Sequence, residues 1–158
     1  MDILLEDHKK VILLLIKHKV DFLIIGGYAV IYYGYTRATI DMDLWLKPDN
    51  INKEKLIAAL REHGIFDEDL LKLQKLDFTS TLAFHLGYEP NKIDFLTKVA
   101  GVTYEEADKQ KVFLPLKSKS VPVIHYHHLI TCKMISGRSR DKIDVEELQK
   151  INKFRKEK

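Results

Sequence analysis

Two acids, Asp41 and Asp43, stand at the head of an apolar segment, and no other stretch narrows the choice of fold as much. They belong to a block, residues 22–46, that reads Phe-Leu-Ile-Ile-Gly-Gly-Tyr-Ala-Val-Ile-Tyr-Tyr-Gly-Tyr-Thr-Arg-Ala-Thr-Ile-Asp-Met-Asp-Leu-Trp-Leu. One apolar run stops at Gly26 and Gly27. A short apolar piece follows, then a polar loop, then a second apolar run that begins with the two carboxylates. Burying an unpaired charge costs on the order of several kcal/mol. Acids kept at such a place call for something positive beside them.

Side chains two apart on a strand share a face. If residues 41–47 form a strand ended by Pro48, Asp41 and Asp43 project together while Met42, Leu44 and Leu46 enter the core. Magnesium suits such a pair, because it takes oxygen ligands and keeps waters and phosphate oxygens in its shell. Asp94 is the best third carboxylate. It lies in Lys-Ile-Asp-Phe-Leu, where Ile93 and Phe95 point to the opposite face. Three converging acids complete a site in which one ion activates an attacking hydroxyl and another steadies a leaving phosphate. Taken alone, the pair also reads as two solvated acids at a strand start.

Gly26 and Gly27 follow a strand and precede a helix. Backbone N–H groups and a helix N-terminus then face any anion there, with no Cβ in the way. An ordinary tight turn is the plainer reading. The pair is too short for a Walker loop, whose Lys-Ser/Thr is absent, and it lacks the third glycine of a dinucleotide fingerprint.

The rest of the chain fixes the fold class. Leu4, Leu5, Val11, Leu14, Leu15 and His18 recur at helical spacing and predict a helix over 3–18. A buried strand is expected at 21–25, a short helix at 28–33 stopped by Gly34, and a loop at 36–39. An amphipathic helix follows at 52–63 with Gly64 as its stop, then a helical turn or two at 67–75. Residues 82–87 and 92–96 read as a hairpin. A short helix at 103–108 carries Thr103 and Glu106 in capping-box positions. Short strands at 112–114 and 121–124 lie around Pro115 and Pro122. Helices at 126–135, ended by Gly137, and at 141–154 close the chain, with Asp141 and Asp144 on one face of the last. Strands mix with helices without a regular βαβ period, so the class is α+β with one mixed sheet. A length of 158 residues suits one domain, with its core about 20–115 and a helical segment about 125–155.

Composition excludes other classes. With 46% hydrophobic and 31% charged residues the balance is that of a soluble globular chain. The longest N-terminal apolar run, 11–16, is too short for a membrane span and meets Lys17 and Lys19. Acidic opening residues and the lack of a small-residue cleavage site predict no signal peptide. A single cysteine, Cys132, rules out an internal disulfide framework and fits a reducing cytoplasm. Charge is unevenly spread: residues 1–108 hold 13 basic and 18 acidic side chains, whereas 109–158 hold 13 and 5. The basic third could face nucleotide phosphates or RNA, although its lysine-rich end reads equally as a solvated tail.

The linked pattern Gly26-Gly27-x-Ala29, Gly34, Arg37-x-Thr39-x-Asp41-x-Asp43 closely resembles the nucleotidyltransferase superfamily typified by DNA polymerase beta. The Gly-Gly-x-Ala and Arg-x-Thr-x-Asp-x-Asp variant is similar to the small bacterial and archaeal AbiEii-like and lincosamide-resistance-like branches. The resemblance implies a mixed sheet, Asp41, Asp43 and Asp94 as catalytic ligands for Mg²⁺ (or Mn²⁺), and a Gly26-Gly27 turn cradling the phosphates of an NTP. Many relatives carry Ser after the glycine pair, where this chain has Tyr28, so that hydroxyl contact is missing.

Arg37 is a forked donor for triphosphate or, alternatively, a partner neutralising Asp41 or Asp43. Thr39 shapes the loop or joins the nucleotide site. Trp45 shares the acidic face, where core packing is its better reading. The order Leu-Ile-x-x-Lys, then Arg-x-x-Asp-Lys-x-Asp, is similar to the superfamily's C-terminal segment. It implies that Lys133 contacts phosphate or base and that Asp141 supports it; the alternative is a salt bridge between adjacent helices. Arg138, Arg140 and Lys142 could meet an acceptor such as an RNA end. His125, His127 and His128 lack any recognised zinc spacing and read as a helix-start cluster. The resemblance implies NMP transfer from an NTP to an acceptor hydroxyl on RNA, a tRNA end, protein or small molecule. A toxin role with an antitoxin partner, and a homodimer, fit by analogy. The alternative is a catalytically silent module of the same fold that binds a nucleotide or a partner.

Overall fold

The computed structural model describes residues 3–158. Among them, six strands form one mixed sheet in the order β3-β4-β2-β1-β6-β5. The strands are β1 (Phe22–Ile25), β2 (Met42–Leu46), β3 (Ala83–Leu86), β4 (Ile93–Leu96), β5 (Val112–Leu116) and β6 (Lys119–Val123). β1 runs antiparallel to β2 and parallel to β6, β2 parallel to β4, and β3–β4 and β5–β6 are antiparallel pairs. All four residues of β1 are buried, as an unbroken apolar run in a central strand requires. The hairpin read at 82–96 is present as β3 and β4. Pro115 lies on edge strand β5, where a missing N–H does least harm.

The helices are α1 (Glu6–Lys17), α2 (Gly26–Tyr32), α3 (Asn50–His63), α4 (Asp67–Gln74), α5 (Tyr104–Gln110), α6 (Tyr126–Ser136) and α7 (Ser139–Lys156). Val11, Ile12 and Leu15 bury one stripe of α1, and α3 packs on it. Asn52 ties α3 to the sheet. Its amide accepts from Asp21 N at 2.8 Å and donates to Asp21 O and Lys47 O at 2.9 and 3.1 Å. The Thr103–Glu106 capping box is formed at α5. Gly64 and Gly137 end α3 and α6 in the left-handed conformation. α6 and α7 form a C-terminal helical pair. No helix of the described residues is long and apolar enough to cross a membrane.

Two of the boundaries that differ from the sequence reading bear on the acids and the glycine pair. β2 begins at Met42, so Asp41 sits just outside it. The glycine pair does not form a turn ahead of a helix starting at 28; α2 starts at Gly26 and the glycines are its first turn.

Candidate active site

β2 lies between β1 and β4, so Asp43 has Ile25 beside it on one side and Asp94 in register on the other. Met42, Leu44 and Leu46 are buried on the core side, as the alternation requires. The two register-paired carboxylates face the same way, and Asp41 follows two residues up the chain from Asp43. Burial, then repulsion from Asp94 and Asp41, pushes the Asp43 carboxyl up to about 6, against the pull of Lys133 and Arg138.

Lys92 is a neighbour of these acids that the sequence reading did not single out. Its ammonium lies 3.6 Å from Asp41 Oδ2 and 3.4 Å from Asp94 Oδ1. The signal for it was the same alternation that found Asp94: residues 92 and 94 share a face, and Met42 opposite Ile93 brings Asp41 beside Lys92.

The glycines serve the site's own side chains. A Cβ on Gly26, whose φ is +64°, would collide with the Asp43 carboxylate. A Cβ on Gly27 would collide with the Thr39 hydroxyl and come within 3.3 Å of the Arg37 guanidinium. The space that the missing side chains leave is taken by Asp43, Thr39 and Arg37.

Arg37 pairs with neither Asp41 nor Asp43. Its Nε lies 2.8 Å from Asp144 Oδ1 and its Nη2 donates to Asp144 Oδ2 at 3.0 Å. Asp144 is fully buried and also holds Lys133 Nζ at 2.8 Å. Lys133 donates to Asp141 Oδ1 at 3.1 Å, and Arg138 Nε to Asp141 Oδ2 at 2.8 Å. Burial raises the Asp141 carboxyl, but hydrogen bonds from Arg138, Ser136 and Lys133 outweigh it and hold the group at about 2. The network fastens loop 36–40 to both C-terminal helices, helped by Arg140, whose Nη2 donates to Ala38 O at 3.1 Å. The expected Lys133–Asp141 pair is present, and Asp144, which the sequence places only on the same helix face as Asp141, holds Lys133 at the shorter distance.

A cavity of about 620 Å³ brings together Gly26, Asp43, Asp94, Lys133, Arg138 and Asp141. Asp41, Gly27, Arg37 and Thr39 lie outside its lining. Trp45 is core: its Nε1 donates to Thr97 O at 3.3 Å and its ring meets Tyr104 edge-on. His125 caps α6 by accepting from His127 N at 3.2 Å, an ordinary helix-start role.

The donor chemistry suits a hard divalent cation: Asp43 and Asp94 are paired in register, the Asp41 Oδ1 atom is buried without a hydrogen-bond partner, and the Lys92 ammonium stands in as a cation against Asp41 and Asp94. The set is not closed, however. Among the described residues no group of three His, Cys, Asp or Glu side chains is disposed to hold a metal.

No family model matches the sequence, and no curated protein matches it significantly. A solved structure from Thermotoga maritima, described as a "putative nucleotidyltransferase", is similar over 95% of this chain and 91% of that one, with a TM-score of 0.56 and 16% identity. At that identity the likeness concerns the fold. The mixed sheet flanked by helices, with its C-terminal helical pair, is consistent with a polymerase-beta-like nucleotidyltransferase fold.

Proposed function

We propose that this chain is a metal-dependent nucleotidyltransferase that moves an NMP from an NTP to an acceptor hydroxyl. The observation that carries the reading is the register pairing of Asp43 with Asp94 in the lining of a cavity that also presents Lys133 and Arg138, with Asp41 two residues before Asp43. Asp41, Asp43 and Asp94 would hold Mg²⁺ or Mn²⁺, which when bound supplies neutralisation of phosphate charge and polarisation of the reacting oxygens.

The chain's own groups divide the remaining work. Asp94 accepts the acceptor's proton as its oxygen bonds to the α-phosphorus. The bond from that phosphorus to the bridging oxygen breaks, and pyrophosphate leaves. Arg138, whose side chain is 78% exposed, is free to turn towards the departing phosphates. Lys133, held by Asp141 and Asp144, presents a fixed positive charge at the cavity wall. The N–H groups of the Gly26–Gly27 turn face the triphosphate. Asp144 orients Arg37 over the same turn, where it contributes field rather than a free fork. The basic C-terminal third favours an anionic acceptor such as RNA.

The test is incubation with each α-labelled NTP, Mg²⁺ and total RNA or cell extract. A labelled product with release of pyrophosphate is expected, and the Asp43→Ala variant, folded by circular dichroism, gives none. Absence of label from every NTP, or retained transfer in Asp43→Ala, contradicts the proposal. The second reading, a binding module without chemistry, is favoured by Lys92 standing between two of the acids. Tight NTP binding by calorimetry with no pyrophosphate release would select it.

A further inference from the structure

We infer that Lys92 is a built-in counter-ion of the carboxylate site, contesting it with the divalent ion and withdrawing when metal enters. The inference rests on the reading of Asp41, Asp43 and Asp94 as metal ligands and adds how their occupancy is regulated. The geometry is that of a displaceable plug. The Lys92 ammonium touches one oxygen of Asp41 and one of Asp94 at 3.6 and 3.4 Å. Both separations exceed the roughly 2.7–2.9 Å of a strong charge-assisted hydrogen bond. The side chain keeps 28% of its surface in solvent, so its flexible stem has somewhere to go. By contrast, Arg37 and Lys133 sit at 2.8–3.1 Å against the buried Asp141 and Asp144 and are themselves largely enclosed.

Register explains why the plug is local. Lys92 precedes β4 and sits next to Asp41 by continuation of the Met42–Ile93 pairing, while Met42 N donates to Lys92 O at 3.1 Å. The backbone at 92 is therefore pinned to β2, and only the side chain needs to move. With Lys92 in place the acids carry one positive charge among three negative ones. Asp41 and Asp94 would offer a divalent ion the same oxygens that face the ammonium, and the doubly charged ion would be the stronger competitor for them. Repulsion between the two cations would then turn the Lys92 ammonium towards solvent, where its side chain already has 28% of its surface. The metal-free protein is spared the full repulsion of its acids, and the metal binds weakly until a triphosphate adds its own ligands.

The experiment is Mn²⁺ titration of the intact protein without nucleotide, by calorimetry and by the manganese paramagnetic resonance signal. Wild type is compared with Lys92→Gln and Lys92→Arg, and with Lys92→Met so that one misfolded variant does not decide the result. Lys92→Gln and Lys92→Met should bind Mn²⁺ about tenfold more tightly, the equivalent of losing one modest ion pair. Their melting temperatures should fall without metal and rise more than wild type's on adding it; Lys92→Arg should stay near wild type. Folded neutral variants with unchanged, weaker or absent Mn²⁺ binding overturn the inference. Tighter Mn²⁺ binding in a chain that labels no acceptor supports the plug and sinks the transfer reading. Transfer with unchanged Mn²⁺ affinity does the reverse.

Discussion

The acids around β2 and the acids on α7 are handled in opposite ways. Asp41 and Asp94 share one lysine at 3.4–3.6 Å, and Asp43 is driven up to about 6 by burial and by its neighbours. Asp141 and Asp144, 2% and 0% exposed, are matched by Arg37, Lys133 and Arg138 at 2.8–3.1 Å. The first cluster has spare negative charge and the second spare positive charge, and members of both line one cavity. A cation bound to a polyphosphate answers both deficits at once. Removing an acid should therefore damage chemistry in the first cluster and folding in the second.

The largest effect expected is on transfer. Asp43→Ala should lower labelling by about a thousandfold or more, with no loss of melting temperature. Unfolding of that variant would erase the contrast. Next, Asp144→Ala leaves Arg37 and Lys133 facing a hole, and should cost about 3–5 kcal/mol in urea unfolding. A cost below about 1 kcal/mol would mean that the buried network is not a brace.

Two smaller effects carry opposite signs with pH. Asp43 is a carboxyl raised above its unfolded value of 3.8, so the native state binds the extra proton and stability falls as pH rises from about 4 to about 6. Asp43→Asn should recover about 2 kcal/mol at neutral pH and flatten that slope. Asp141 is held at about 2, so its stabilisation is present above about pH 4 and disappears as pH falls towards 2. The loss should be about 1–2 kcal/mol and should be missing in Asp141→Asn. Unfolding curves taken from pH 2 to 8 check both slopes.

Local chemistry made much of this legible in the sequence. The alternation at 42–46 and 93–96, the glycine stops at 64 and 137, and the Thr103–Glu106 box each depend on neighbours a few residues away, and each stands in the structure. What stayed hidden depends on distant partners. Arg37 and Asp144 are 107 residues apart, so nothing near Arg37 could direct it to α7 rather than to Asp41. Lys92 was visible as a face-mate of Asp94, but its place beside Asp41 follows only from the parallel pairing of β2 with β4. The need for a missing Cβ at the glycine pair was legible, but that Asp43 and Thr39 pack against it depends on residues brought in from β2 and the preceding loop.

Diffraction from crystals soaked with Mg²⁺ and a non-hydrolysable NTP tests the convergence of the three acids most directly. The predicted result is an ion bound by Asp41, Asp43 and Asp94, a triphosphate running past the start of α2 towards Lys133 and Arg138, and the Lys92 side chain turned away. Triphosphate bound elsewhere, or Lys92 still lodged between Asp41 and Asp94 with no ion beside Asp43, would contradict it.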